Sequence, residues 1–492
     1  MKPEAKKPSL IQSFIPLVIL IVLLSLNVNF FGDDTLAGSN QMALILAAAS
    51  AAIIAGRLGI KWRKQRDGIV KSIGSAMPSI LILFLIGSLA GTWMISGVVP
   101  ELIYYGLKIL NPKIFLFVTV IICALVSLAT GSSWSTVATI GIALLGIGKA
   151  MGMNEGMVAG AIISGAYFGD KMSPMSDTTN LAPAMAGTDL FTHIRYMLYT
   201  TVPSIVITLI VFLILGFTTK VETGLVNPDE VLNVLKNSFN LNPLLMIVPV
   251  FLIFIIIKKV APVPALLAAS LLGGIFAIIF QPEVINHVSG ISDNYLKSSY
   301  IAVMKSMFGP VSIDTNNATV NELLSTNGMA GMLNTIWLII SAMVFGGVME
   351  SAGMLLKITQ TVIKYVKSTA GLVSSTVGTC LFFNLTASDQ YISIVVPGRM
   401  YAKAYKDRDL KPEVLSRTLE DSGTVTSVLI PWNTCGATQS SVLGVSTLTY
   451  APYAFFNIIS PFMSILMAVF NIKIRRYTDQ LKNKKASDKD KN

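Results

Sequence analysis

One polar segment in the first half of the chain contains the residues best suited to binding a cation. It runs from Gly169 to Asn180 (GDKMSPMSDTTN) and lies between two long apolar runs. Ionisable side chains at membrane depth are functional candidates by default, because an unpaired charge there is costly. Sodium prefers hard oxygen ligands, which carboxylates, hydroxyls and amides provide. We therefore predict a cation and proton site that uses Asp170, Asp177, Thr178, Thr179 and Asn180.

Within this segment we expect Asp170, Asp177 and Asn180 to contact Na+ directly, together with Asp389 from the second half of the chain. Two structural alternatives remain open. Asp170 could pair with its neighbour Lys171, and either aspartate of the segment could cap a helix.

A second cluster of polar residues opens the segment that follows Thr130. Thr130-Gly-Ser-Ser-Trp-Ser-Thr136 places five hydroxyls and a tryptophan at a predicted helix start. A helix start has free N–H groups that can hold a ligand. We predict that Thr130, Ser132, Ser133 and Trp134 contribute to the site. The alternative is close packing of small residues between membrane helices.

The second half of the chain carries a related set of residues. Asp389 lies between two apolar runs in a segment that parallels Thr130 to Ser135, where it takes the place of Ser133. Further on, Glu420-Asp421-Ser-Gly-Thr leads to Pro431-Trp-Asn-Thr434. We predict that the binding residues here are Asp389, Asp421, Trp432, Asn433 and Thr434. A simpler interpretation of Glu420 and Asp421 is that they pair with Arg417 on one helix face.

Glu350 is the last candidate, because it interrupts an apolar segment. A buried carboxyl there could exchange a proton, whereas one at the membrane edge could pair with Lys357. The two histidines, His193 and His287, are expected in loops without metal-ligating neighbours.

Composition indicates a membrane protein. Of 492 residues, 53% are hydrophobic and 13% are charged, about half the charged fraction of soluble domains. The net charge of +11 comes from short basic clusters between apolar runs, which is typical of cytoplasmic loops rather than of nucleic-acid binding. Three cysteines in or beside apolar segments argue against a disulfide framework. The absence of Walker, dinucleotide and protease motifs argues against a pump or enzyme, and we expect no cofactor.

The apolar runs predict an all-α, polytopic protein with up to fourteen membrane segments. Ten are strongly apolar: 11–30, 41–60, 76–98, 112–130, 195–219, 243–257, 262–281, 333–356, 369–386 and 454–473. Four are interrupted by polar residues and are expected to include broken or re-entrant helices: 131–148, 156–172, 388–402 and 414–434.

The basic clusters predict both termini in the cytoplasm. The expected organisation is a cytoplasmic N-terminus (1–10), a first membrane repeat (11–219), a connecting loop (220–242), a second repeat (243–473) with a long external loop (282–332), and a basic cytoplasmic tail (474–492). Several residues match at one constant offset between the halves, among them Gly97 with Gly353 and Thr130 with Thr386. Seven segments in each half would make the repeats inverted, which is typical of secondary transporters with a central site. Chance similarity between glycine- and serine-rich helices is the alternative.

Three motifs resemble the signature segments of the NhaC family of bacterial sodium/proton antiporters. They are GSSWSTVATIGIA (131–143), GDKMSPMSDTTNLAPAMAG (169–187) and EDSGTVTSVLIPWNTCGA (420–437). That family also includes malate–lactate antiporters coupled to Na+ and protons. The resemblance implies a carrier of the ion transporter superfamily in the bacterial cytoplasmic membrane, which works by alternating access. It points to the same residues: Asp170, Asp177, Thr178, Thr179, Asn180, Asp389, Asp421, Trp432, Asn433 and Thr434.

We therefore predict a sodium/proton antiporter in which a shared carboxylate binds either ion. The main alternative is a Na+- and H+-coupled carrier of a small organic anion or amino acid, whose carboxylate could bind at the polar helix starts of Ser132 and Thr178. A scarcity of free basic residues in the membrane segments disfavours it. A passive sodium channel is a third interpretation, which the unlike acids of the two repeats disfavour. The expected partners are Na+, H+ and the lipid bilayer, and a homodimer remains open.

Overall fold

The computed structural model describes residues 6–31, 37–219, 228–315 and 318–478, which are almost entirely helical. Among them, eight helices are long and apolar enough to cross a membrane, and two bent helix pairs raise this number to ten. The chain is therefore a polytopic, all-α membrane protein. The α-helices of the first half are α1 (Leu10–Phe31), α2 (Ser39–Arg57), α3 (Trp62–Ile95), α4 (Val98–Ile109), α5 (Pro112–Thr130), α6 (Ser133–Thr136), α7 (Ile142–Ala150), α8 (Glu155–Met172), α9 (Asp177–Ala186) and α10 (Leu190–Thr218).

The second half contains further α-helices, which are α11 (Pro228–Ser238), α12 (Ile247–Ile257), α13 (Pro262–Phe280), α14 (Pro282–Ser289), α15 (Tyr295–Phe308), α16 (Ala318–Leu323), α17 (Leu333–Ser351), α18 (Met354–Tyr365), α19 (Thr369–Thr386), α20 (Gln390–Lys406), α21 (Pro412–Leu419), α22 (Thr434–Leu443), α23 (Thr447–Tyr450) and α24 (Phe455–Val469). Two-residue strands at Val311–Ser312 and Ser325–Thr326 pair antiparallel. A π-helical turn spans Val137–Gly141 between α6 and α7, and another spans Glu420–Thr424 after α21.

Helix boundaries in the two halves correspond at a nearly constant separation. Left-handed glycines precede α4 and α18, at Gly97 and Gly353. Side chains cap the next helices at Asn111 and Ser368, and this pair is separated by one position more than the glycines. The separation of the capping pair also relates Ser132, the cap of α6, to Asp389, the cap of α20. These caps align Asp389 with Ser132, whereas the sequence comparison aligned it with Ser133, one position later.

Two of the segments that were expected to include broken or re-entrant helices, 131–148 and 388–402, form helical hairpins with the helices that precede them. In the first hairpin (residues 112–150), Gly148 near the end of α7 lies against Phe115 near the start of α5. In the second hairpin (369–406), the Tyr405 hydroxyl near the end of α20 lies 3.1 Å from the Thr376 hydroxyl of α19. Each hairpin reverses at residues with positive φ, Gly131 at 71° and Ser388 at 57°. The 131–148 and 388–402 segments therefore turn back along the helices that precede them.

Each hairpin is followed by a helix that breaks near its middle. The first broken helix consists of α8 and α9, separated by residues 173–176. The second consists of α21, the π-helical turn at Glu420–Thr424, a 3₁₀ turn at Ser427–Leu429 and α22. Pro174 and Pro431 lie in these breaks, where their missing N–H groups cannot continue the helical hydrogen bonding. Backbone polar groups at such a break are tolerated in a membrane protein only where protein or a cavity surrounds them.

Glycines bring α8 into backbone contact with α5. A Cβ atom at Gly165 would lie 2.3 Å from the carbonyl oxygen of Val120, and one at Gly169 would lie 2.3 Å from that of Ala124. Any side chain at these positions would force the helices apart. The first hairpin and the first broken helix are thus packed as closely as small residues allow.

Several predicted boundaries were wrong. The external loop predicted at 282–332 contains α14, α15, α16 and the strand pair, and the connecting loop predicted at 220–242 contains α11. The 414–434 segment, one of the four expected to include broken or re-entrant helices, is interrupted between Leu419 and Thr434. The last membrane helix ends at Val469 rather than at residue 473. The part of the predicted tail after residue 478 lies outside the described residues.

Candidate ion-binding site

The tip of the first hairpin holds Asp170 in place. The Asp170 Oδ2 atom accepts hydrogen bonds from the backbone N–H of Ser133 at 3.1 Å and from its hydroxyl at 2.7 Å. Asp170 lies in the last turn of α8, and its side chain is buried. Ser133 begins α6, where Ser132 accepts a capping bond from the Ser135 N–H. The helix start therefore offers free N–H groups to a carboxylate, as expected of an anion at a helix N-terminus.

The other polar residues of this segment have distinct environments. Thr178 and Thr179 are buried, and the Thr179 hydroxyl donates to the Lys171 carbonyl at 3.0 Å. Asp177 and Asn180 are exposed, and the Asn180 amide donates to the Pro174 carbonyl at 2.9 Å. The residue that caps α9 is Ser176 rather than either aspartate.

The first hairpin tip contains two further predicted residues. Thr130 is buried, and its hydroxyl lies 3.5 Å from that of Thr136. Trp134 is half-buried on the following turn. Asp177 lies within electrostatic range of Asp170, so the two carboxylates predicted to bind Na+ in this segment lie near each other.

The tip of the second hairpin uses its own carboxylate as a helix cap. Asp389 Oδ1 accepts a hydrogen bond from the Ile392 N–H at 2.9 Å, and the side chain is buried. The tip is tied to the second broken helix, because the Thr434 N–H donates to the Ser388 carbonyl at 3.0 Å. Asp389 therefore lies near the second break, but one of its carboxylate oxygens already accepts a hydrogen bond from the helix that it caps.

Asn433 and Trp432 strengthen this connection. The Asn433 Oδ1 atom caps α22 by accepting from the Cys435 N–H at 3.0 Å, and its amide donates to the Asn384 carbonyl at 3.1 Å. The Trp432 indole N–H donates to the Leu385 carbonyl at 2.8 Å. Both side chains that were predicted to bind an ion thus also hold the hairpin tip against the break.

Contacts between the repeats join the two broken helices. The Lys171 ammonium forms an ion pair with the Asp421 carboxylate, and both side chains are fully buried. The Thr178 hydroxyl donates to Glu420 Oε1 at 3.0 Å. The alternative in which Glu420 and Asp421 pair with Arg417 is therefore wrong, and so is the one in which Asp170 pairs with Lys171. The partners in these two contacts come from opposite halves of the chain, where local spacing gives no information.

Three other sequence interpretations need correction. His193 lies on α10 rather than in a loop, is fully buried, and has its Nδ1 atom 2.8 Å from the Ser416 hydroxyl. His287 lies on α14. Glu350 is exposed at the end of α17, within electrostatic range of Asp389, and no ion pair with Lys357 occurs among the described residues.

Sequence reasoning missed a group of residues that surrounds Cys435 at the start of α22. The Cys435 thiol donates to Gln390 Oε1 of the second hairpin at 3.0 Å. Trp134 of the first hairpin and Tyr167 of α8 lie beside the same thiol. Both hairpin tips and both broken helices therefore converge on Cys435. The only signal in the sequence was its position two residues after Asn433 in the third motif.

Comparison with known proteins gives the family. The family model described as the Na+/H+ antiporter family matches residues 165–472, which include the break of the first broken helix, the second hairpin and the whole second broken helix. The chain belongs to the Na+/H+ antiporter family. The Na+/H+ antiporter NhaC of Alkalihalophilus pseudofirmus is 36% identical over 88% of this chain and 91% of its own length. The predicted resemblance to NhaC proteins is thereby confirmed.

Antiporters whose names state other substrates are nearly as similar to this chain. The malate-2H+/Na+-lactate antiporter of Bacillus subtilis is 35% identical over 94% of this chain and 95% of its own length. The arginine/ornithine antiporter ArcD of Halobacterium salinarum is 34% identical over 94% and 92%. A solved structure of Neisseria gonorrhoeae MtrF aligns over 93% of this chain and 95% of its own, at 13% identity and a TM-score of 0.36.

Proposed function

We propose that this protein exchanges Na+ for protons and that Asp170 binds the exchanged ion. The observation that carries the proposal is the geometry of this carboxylate. It is buried, it accepts the N–H and hydroxyl of Ser133, and it forms no ion pair within the described part of the chain. An ionised carboxylate away from water needs a counter-charge. Either Na+ or a proton supplies it, so binding of one ion excludes the other.

The surroundings of Asp170 suit Na+ in particular. Ser133 donates to the Oδ2 atom, and the Ser176 hydroxyl lies beside the same carboxylate. Hydroxyl and carboxylate oxygens are hard ligands, and hard ligands bind hard cations such as Na+. Asp177, Asn180 and Asp389 remain predicted Na+ ligands, with Asp177 and Asn180 at the exposed start of α9. No cofactor enters this scheme.

Exchange requires the site to face one side of the membrane at a time. The two hairpins and two broken helices bring irregular backbone together where each tip meets a break, an arrangement typical of secondary transporters. We propose alternating access by movement of these elements against α1–α3 and α17, with residence in a bacterial cytoplasmic membrane.

A second candidate function is transport of a small organic anion or amino acid with Na+ and H+. The observation that favours it is Arg417, which is fully buried and stacks 4.5 Å from the centre of the Tyr196 ring. None of its guanidinium nitrogens has a hydrogen-bond acceptor in the described structure. The scarcity of free basic residues therefore no longer disfavours an organic anion, because a guanidinium matches the geometry of a carboxylate. The names of two relatives point the same way.

Reconstitution tests both candidates. Purified protein is placed in liposomes that contain a pH-sensitive dye, and Na+ is added outside, with and without malate, lactate or an amino-acid mixture. Internal alkalinisation with Na+ alone supports sodium/proton exchange. Alkalinisation only when an organic solute is present supports the second candidate. Asp170→Asn protein and protein-free liposomes are the controls, and no response under any condition would defeat both candidates.

A further inference from the structure

Lys171 is a fully buried cation next to the residue that we propose as the exchange site. It follows Asp170 at the end of α8, and its ammonium pairs with the carboxylate of Asp421 from the opposite repeat. The Phe456 ring lies on another side, with its centre 5.5 Å from Nζ. An aromatic face attracts a cation, so the environment of this ammonium is built for a single positive charge.

The chain itself satisfies both oxygens of Asp421. Oδ1 faces Lys171, and Oδ2 accepts a hydrogen bond from the Ser464 hydroxyl of α24. Asp421 lies within the π-helical turn at Glu420–Thr424, an irregularity that often occurs at functional sites. Lys171 therefore fills the cation position at Oδ1 of Asp421, beside the Phe456 ring, while the Ser464 hydroxyl holds the other oxygen of the same carboxylate.

Neighbouring carboxylates lack such a partner. Asp170 accepts hydrogen bonds from Ser133, and Glu420 accepts one from Thr178. Glu420 Oε2 has no hydrogen-bond partner within the described residues. Of Asp170, Glu420 and Asp421, only Asp421 forms an ion pair with a side chain in the part of the chain that the structure describes.

We propose that Lys171 is a tethered monovalent cation that excludes Asp421 from ion exchange. By filling the cation position at Asp421, it limits the number of mobile cations that each cycle carries. Without the ammonium, the same carboxylate and hydroxyl form an additional Na+ site. This inference rests on the proposed sodium exchange and adds the residue that sets its stoichiometry.

Replacing Lys171 with methionine separates charge from packing, because methionine keeps a long, unbranched, flexible side chain. We would count bound radioactive Na+ per purified protein at alkaline pH and measure how transport in liposomes depends on an imposed membrane potential. Lys171→Met should bind one more Na+ per chain than the parent and change its voltage dependence. Adding Asp421→Asn should restore the parental values.

The matched control is Lys149→Met, which removes a lysine whose 3.0 Å ion pair with Glu155 is partly exposed. It should leave the Na+ count unchanged. An unchanged Na+ count in Lys171→Met would overturn the tethered-cation role and leave Lys171 a structural ion-pair partner. If Lys171→Met does not fold, the exchanged pair Lys171→Asp with Asp421→Lys replaces it. That protein should keep the parental count, and a gain of Na+ there would equally overturn the role.

Failure of the proposed function has a different signature. A parent protein that moves no protons in response to Na+, whatever solute is present, would defeat sodium exchange itself. A parent that exchanges normally, together with an unchanged count in Lys171→Met, would defeat only the role of Lys171.

Discussion

The two hairpin tips differ in which element carries the carboxylate. In the first, the tip supplies hydrogen-bond donors, and Ser133 holds a carboxylate that belongs to the broken helix. In the second, the tip supplies the carboxylate, and Asp389 caps its own helix, α20. There the broken helix contributes Asn433, which caps α22 and donates to Asn384 of the hairpin. A duplicated scaffold thus keeps the contact between tip and break while changing which side carries the charge.

This difference predicts that the two repeats are not equivalent in transport. Of Asp170 and Asp389, it is Asp170 whose side chain joins two separate elements, α8 and the start of α6, so a change in its charge state alters the contact between them. Asp389 is held mainly by the N–H groups of the helix that it caps. We expect the first tip to determine ion exchange and the second to determine the geometry of the site.

Replacing the two buried aspartates with asparagine tests this expectation most strongly. Asp170→Asn removes the carboxylate that binds either ion, so Na+-driven proton flux should fall to the level of protein-free liposomes. Asp389→Asn should have a smaller effect, because asparagine caps helices as well as aspartate does. Na+-dependent proton flux in liposomes measures both. Equal losses in the two variants would contradict the asymmetry.

Of the substitutions in this series, alanine at Gly169 should cause the largest loss of stability. Its Cβ would lie 2.3 Å from the Ala124 carbonyl oxygen, and overpacking of this kind costs about 1–3 kcal/mol. The matched control is Gly378→Ala on α19, the helix of the second hairpin that corresponds to α5, where nothing lies within 4 Å of the new Cβ. Thermal unfolding in detergent compares them. If Gly169→Ala melts at the parental temperature, the close contact of α5 and α8 is not needed for stability.

Asn433→Ala should weaken the connection at the second tip. It removes the cap of α22, which typically contributes about 1 kcal/mol, and the amide that donates to Asn384. Asn433→Asp keeps the capping oxygen but loses the amide donor, so it should fall between the parent and the alanine variant in unfolding temperature. A variant series in which aspartate behaves like alanine would assign the whole effect to the bond with Asn384.

Ser133→Ala should have the smallest effect of this series. It removes the hydroxyl donor to Asp170 but leaves the backbone N–H, and one hydrogen bond contributes about 0.5–1.5 kcal/mol. The Na+ concentration that gives half-maximal transport should therefore rise only a few-fold. Ser132→Ala removes the helix cap instead, and we expect it to lower stability more than Na+ affinity. The reverse order of effects would show that Ser132, rather than Ser133, orients the carboxylate.

Local patterns were sufficient to predict the class of fold and the segments in which helices are interrupted. Apolar runs gave the membrane helices, and prolines and polar clusters marked the breaks at 173–176 and 425–433. The spacing of Gly97 and Gly353 indicated the internal repeat, because a left-handed helix start favours glycine. These features depend on residues within a few turns of each other or on the repetition of such a group.

The sequence did not reveal which distant groups would meet. Lys171 has an acid beside it at Asp170, yet it pairs with Asp421 from the other half of the chain. Arg417 has acids three and four residues later, yet it stacks on Tyr196. His193 looked like a loop residue because it follows a polar stretch, but the packing of α10 against α21 buries it. In each case the packing of helices selects the partner, and helical spacing only supplies a candidate.

The glycine contacts of α8 have a mechanical consequence. Gly165 and Gly169 lie against the backbone of α5. At these two positions no side chain separates the two helices, so little rearrangement of side chains is possible between them. A displacement of one helix is transmitted to the other without being absorbed by side-chain rotation. Asp170 lies near the end of α8, and Ser133, whose hydroxyl donates to it, lies just after the end of α5. The two side chains would then move together as parts of one rigid unit, and the bound ion would keep its ligands during the movement.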